Sequence, residues 1–161
     1  MKKVIIALIL VVVPVLFGVN NIVKGANNTG VITMSIEKVK QPSVAGTFYT
    51  SDKNALEKQI NEFKQNSKNT YKTPTRAVIV PHAGLVYSGR LAYEGISQLD
   101  KNVKNIFIFA PAHRVPFDGL ALTSYDSWRT PLGDIKINRT ITNELLTKFG
   151  AKINDEALAP E

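Results

Sequence analysis

The chain holds two histidines, His82 and His113, and no cysteine. Each histidine stands just past a short apolar run closed by proline. Ala77-Val78-Ile79-Val80 leads into Pro81-His82-Ala83-Gly84, and Ile106-Phe107-Ile108-Phe109-Ala110 leads into Pro111-Ala112-His113. Imidazole is the commonest side-chain metal ligand, and its neutral form suits Fe, Zn and Cu alike. Two imidazoles are an incomplete site, so a carboxylate, a thiolate or a third imidazole must come from elsewhere. Asp118, Asp126, Asp134 and Glu161 are available, and nothing in the sequence singles one out. The competing reading is that each histidine merely caps a strand end on backbone groups. The shared strand–Pro–His context argues against it.

The elements that must position this pair follow from the flanking residues. Runs this short, rich in β-branched and aromatic side chains, read as strands buried on both faces. The proline after each run has no N–H to donate and ends the ladder. The histidines are 31 residues apart, about one strand–helix–strand unit. If the two strands are parallel neighbours, both imidazoles emerge at the same carboxyl edge, where open α/β sheets place ligands. Between them, Gly84 to Gly89 reads as a loop and Arg90 to Leu99 as a helix, giving a right-handed crossover. Upstream, Ser51-Asp52 caps a helix reaching about Gln65, with Leu56, Ile60 and Phe63 on one face. Downstream, Gly119 to Thr123 reads as a strand, Ser124 to Gly133 as a turn-rich excursion, and Asp134 to Ile137 as a short strand. Asn138 or Thr140 then caps a helix stopping at Phe149-Gly150. The expected fold class is α/β, a mostly parallel sheet flanked by helices. Three or four strands leave that sheet without a far edge, so residues 40–161 are expected to form the N-terminal part of a longer domain.

Composition bounds the function. With 44% hydrophobic and 20% charged residues among 161, the chain is globular rather than disordered. The formal charge is +7, but Lys2, Lys3 and Lys24 lie in an N-terminal segment without acids. No basic stripe is interleaved with stacking aromatics, so nucleic acid is not an expected partner. Lys2-Lys3 precede an apolar stretch from Val4 to Val19, broken only by Pro14 and Gly18. This pattern marks residues 1–26 as a signal peptide or N-terminal membrane anchor, although it is short for a full span of about 20 residues. The expected location is extracytoplasmic, or anchored with the N-terminus in or through a membrane. Residues 27–39 read as a linker.

Other residues offer weaker chemistry. Gly84 and Gly89 bracket a helix start that suits an anion, but no phosphate-loop fingerprint is present. Ser88 lacks the first glycine of a nucleophile elbow. Tyr49, Tyr87, Phe48 and Trp128 are aromatics in expected loops, and Arg114 directly after His113 suits an anionic group.

Four ordered motifs carry a resemblance. They are Lys40-Gln41-Pro42-Ser43-Val44-Ala45-Gly46-Thr47-Phe48-Tyr49; Val80-Pro81-His82-Ala83-Gly84 with Tyr87-Ser88-Gly89; Ala110-Pro111-Ala112-His113; and Trp128-Arg129-Thr130-Pro131-Leu132-Gly133. Over about residues 40–161 the chain resembles the Memo-like family, protein B of the AmmeMemoRadiSam systems. The resemblance implies the α/β fold of class III extradiol (LigB-type) dioxygenases, and a redox-active metal, Fe(II) or Cu. His82 and His113 match two family metal ligands. The remaining ligands lie in a C-terminal half beyond these residues. Where the family has a second histidine or a small residue, this chain has Arg114. The implied function is a metal-dependent, dioxygenase-like oxidoreductase. The alternative is a non-catalytic module binding a peptide or small molecule, with Tyr49, Tyr87, Arg114 and Trp128 as candidate ligand contacts. AMMECR-like and radical SAM proteins are partners by family analogy.

Overall fold

A computed structural model describes residues 7–11, 36–67 and 75–159. Its elements run β1 (Ala7–Val11), β2 (Val39–Lys40), α1 (Lys53–Asn66), α2 (Leu85–Ile96), β3 (Ile106–Ala110), β4 (Ala121–Leu122), β5 (Ser127–Thr130), β6 (Gly133–Lys136), α3 (Arg139–Lys148), β7 (Lys152–Ile153) and α4 (Asp155–Leu158). The architecture is mixed α/β, as expected. Its sheets are small: β1 pairs with β3, β2-β5-β6 form a three-stranded sheet, and β4 pairs with β7. Two pairings are parallel (β2·β5, β4·β7) and two antiparallel (β1·β3, β5·β6), so parallel pairing does not dominate among the described residues.

Helix α1 begins where the sequence supplies a cap. Asp52 Oδ1 accepts the Ala55 N–H at 2.7 Å, satisfying one donor that the first turn cannot pair internally. Asp52→Ala is expected to cost about 1 kcal/mol, read as a lower midpoint in urea with an unchanged slope. Helix α3 starts in the same way at Asn138, whose Oδ1 accepts from Ile141 N at 3.2 Å.

The core sits where β4 meets α4. Ala121, Ala157 and Leu158 are buried together, with Val115, Phe117, Trp128 and Ile135 packed around them. Leu122 and Ala151 form a second cluster with Leu120, Leu145 and Leu146. Polar groups tie the turn after β4 to this core. The Arg139 guanidinium donates to the carbonyls of Thr123, Ser124 and Tyr125. Asp155 Oδ1 accepts from Thr123 Oγ1 at 3.0 Å and Ser124 N at 2.8 Å. Burial pushes the Asp155 carboxyl up, but the bonds from Ser124 and Thr123 outweigh it and hold it below its ordinary value. A carboxylate lowered on folding adds stability that is complete above its unfolded pKa and is lost as pH falls through the folded one. Asp155→Asn is therefore expected to flatten the fall in Tm between about pH 5 and pH 2, and a series of thermal melts across that range checks it.

Several elements differ from the sequence reading. Ala77 to Val80 is not a strand; only Thr75 makes a bridge, parallel to Leu99, and Ile79 is fully exposed. The run has the composition of a strand, but it joins no ladder with any described strand. Residues 84–89 are not a loop, because α2 starts at Leu85. The excursion from Ser124 to Gly133 contains a hairpin. β5 and β6 pair from Ser127↔Lys136 to Thr130↔Gly133, and Pro131-Leu132 forms the turn. The apolar leader, expected to stand apart from the fold, supplies β1, paired antiparallel with β3 from Ala7↔Ala110 to Val11↔Ile106. An all-apolar strand with an open edge is a template for any neighbouring apolar segment, and the leader is the one that takes it. Of the expected linker, residues 27–35 lie outside the described residues, while Val39 at its end stands in β2.

Candidate functional site

His82 and His113 meet. Their Nε2 atoms are 3.2 Å apart, with ring centroids 5.2 Å apart and ring planes tilted by 48°. Both rings are exposed to solvent. His113 is delivered by β3 and the Pro111-Ala112 step. His82 is delivered by the segment entering α2, and backbone contacts fix that entry. Leu85 N donates to Phe48 O at 2.8 Å, and a Cβ on Gly84 would lie 3.2 Å from the same oxygen. The Lys40–Tyr49 motif thereby holds the His82 loop from beneath. Ser88, buried in the first turns of α2, donates its hydroxyl to Ala83 O at 2.8 Å, so it braces the same loop and is not a nucleophile activated by His82.

The separation fits one ion. Two imidazole nitrogens bound at about 2.05 Å are about 2.9 Å apart at a right angle and about 3.3 Å apart at the tetrahedral angle. The observed 3.2 Å lies between these values. In the absence of an ion, the same distance suits one imidazole donating Nε2–H to the other. Among the described residues no group of three or more His, Cys, Asp or Glu side chains gathers around an ion-sized space. Asp126 is taken by the Lys38 N–H at 2.9 Å and lies 3.5 Å from Arg139. Asp134 is held in a two-pronged bond by Arg129 at 2.9 and 3.0 Å. That fork lowers the Asp134 carboxyl and raises the Arg129 guanidinium. Glu161 lies outside the described residues.

The other candidate residues are dispersed. Tyr49 is half-buried, and burial raises its phenol. It lines an apolar groove of about 420 Å³ with Leu56, Ile60, Leu85 and the β5–β6 hairpin. Tyr87 is almost wholly exposed on the first turn of α2, and Arg114 is exposed beside His113. Trp128 packs against the β4–α4 core, with the Lys40 ammonium 4.7 Å from its ring centroid. Sequence reasoning placed Trp128 in a loop and missed this cation–π pair. The signal was the alternation of Ser127-Trp128-Arg129-Thr130 ahead of a Pro-Leu-Gly turn.

In this mixed α/β domain one imidazole, His113, follows a strand, and it meets a second, His82, on the segment that enters α2. The sequence model of the Memo-like protein family matches residues 40–160. Protein MEMO1 of Mus musculus is 40% identical over 107 residues, which is 66% of this chain and 36% of that protein. Protein MEMO1 of Homo sapiens is 39% identical over 107 residues, with the same shares. A MEMO1 family protein of Thermoplasma volcanium is 34% identical over 119 residues, 73% of this chain and 44% of its own length. This chain belongs to the Memo-like family. It spans about a third of the length of its mammalian relatives.

Proposed function

We propose that this Memo-like chain binds a redox-active metal ion, Fe(II) or Cu, through His82 and His113. The observation that carries the reading is the 3.2 Å approach of the two Nε2 atoms. Bound there, such an ion supplies Lewis-acid and redox chemistry toward an oxygenated substrate. The residues of this chain have three tasks. To hold an ion, both imidazoles would turn a lone pair on Nε2 toward it, with the ring N–H on Nδ1. The Phe48–Leu85 and Ser88–Ala83 bonds fix the His82 loop. Solvent exposure of both rings leaves room for further ligands and for substrate. Equilibrating the whole chain with Cu²⁺ or with Fe²⁺ under argon, then dialysing, tests the reading. One retained ion per chain, bound through nitrogen by electron paramagnetic resonance for Cu²⁺, is expected; no retention of either ion overturns it.

The groove beside Tyr49 favours a second reading, a module that binds a peptide or small molecule without turnover. Its mostly apolar lining, with Tyr49, Thr130 and Asp134 as the polar side chains, and its volume of about 420 Å³ fall within the range of ordinary ligand pockets. Ligand binding that survives loss of both histidines supports this second reading. For the leader, Lys2-Lys3 ahead of the apolar run support a role in bringing the chain to or through a membrane.

A further inference from the structure

The apolar leader has two incompatible uses, and the structure shows one of them. Residues 7–11 form β1, in register with all five residues of β3. The same strand also runs within 8 Å of β4, Cα to Cα, so it stands beside both β3 and the buried Ala121-Leu122 pair. Yet the sequence from Lys2 to Val19 is that of a membrane-directed segment. A lone strand cannot enter hydrocarbon, because its N–H and C=O groups would lie unpaired there. To enter a bilayer the segment must leave β3 and pair its backbone within itself.

We propose that β1 is a displaceable strand: residues 7–11 either complete the ladder of β3 or insert into a lipid bilayer, and each state excludes the other. The proposal rests on the membrane reading of the leader and adds that the folded domain competes for it. The bilayer offers the apolar run a larger apolar environment, and an anionic surface attracts Lys2 and Lys3. The fold offers five ladder pairs and a neighbour, β3, whose Phe107, Ile108 and Phe109 remain exposed even with β1 in place. A segment with two such hosts distributes between them by the difference in their free energies. Stabilising the strand state must therefore weaken membrane binding by the same factor.

The absence of cysteine makes the test clean. Ile9 and Ile108 are directly opposite in the ladder. Antiparallel partners have Cα atoms about 4.5–5.5 Å apart, within the disulfide range. The full chain carrying Ile9→Cys with Ile108→Cys is oxidised and mixed with phosphatidylcholine–phosphatidylglycerol vesicles. The expected result is an intrachain disulfide and a fall of at least about tenfold in the vesicle-bound fraction, reversed by dithiothreitol. The pair Ile9→Cys with Phe107→Cys, one residue out of register and on opposite faces, is expected to close far more slowly. Equal closure of the two pairs, or a locked chain that binds vesicles as the reduced one does, overturns the exchange. A reduced chain that ignores vesicles altogether overturns the membrane reading of the leader itself. Hydrogen exchange on the unsubstituted chain guards against a misfolded variant. Amides of Ile106–Ala110 should lose protection when vesicles are added, and unchanged protection at bound saturation overturns the proposal.

Discussion

His82→Ala is expected to weaken Cu²⁺ or Fe²⁺ binding by the whole chain at least about a hundredfold. Loss of a group that only orients a metal ligand costs 10–100-fold, so loss of the ligand sets that range as a lower bound. His113→Ala should cost a similar factor, because the two Nε2 atoms stand equivalently at 3.2 Å. The double substitution should cost much less than the product of the two, since either single change already dismantles the shared site. Both rings are exposed, and surface substitutions away from caps and cores usually change stability by less than about 0.5 kcal/mol. Unchanged Tm with lost affinity therefore separates a ligand role from a structural one. Isothermal titration of wild type and the three variants reads all of this. Wild-type affinity in His82→Ala, or strictly additive losses, places the ion elsewhere.

The pair was legible in the sequence because its signal is local: an apolar run, a proline, then the only histidines in the chain. Helices α1 and α3 were legible for the same reason, since Asp52 and Asn138 are side-chain caps that the structure uses. The start of α2 was not, because its cap is Gly84, with no side-chain bond to announce it. What fixes that start is Phe48 O, 37 residues upstream, accepting from Leu85 N, and a contact of that range leaves no periodicity to read. Ala77 to Val80 fails in the opposite direction. Its composition is that of a strand, but strand formation needs a neighbour, and composition is silent about which neighbours exist. The β6 strand was legible at Asp134 to Ile137, but its partner β5 was read as part of a turn-rich excursion. Proline in the turn itself leaves the ladder from Ser127 to Thr130 intact. Trp128 illustrates how a large side chain near a turn is as easily an anchor as a ligand contact. Its place is decided in part by Ala157 and Leu158, which are distant from it in sequence.

Gly95→Ala is expected to destabilise the domain by about 1–3 kcal/mol and to loosen the histidine pair with it. A Cβ at position 95 would lie 2.5 Å from Val80 Cγ1, a distance at which one partner must move. Val80 is β-branched and has little freedom at χ1, so the strain passes into its backbone. Two residues further along that backbone is His82. Helical propensity pulls the other way, since alanine in place of glycine inside a helix gains about 0.5–1 kcal/mol. A net loss therefore means that the clash outweighs the propensity gain. Val80→Ala removes the offending methyl groups, so the double variant should recover most of the lost stability and come out ahead of Val80→Ala alone by roughly the propensity gain. Urea unfolding of the four chains supplies the cycle. The same four chains titrated with Cu²⁺ should show affinity falling in Gly95→Ala and returning in the double variant. A Gly95→Ala chain as stable as wild type, or one whose affinity does not follow its stability through the cycle, breaks the link between the α2 contact and the placement of His82.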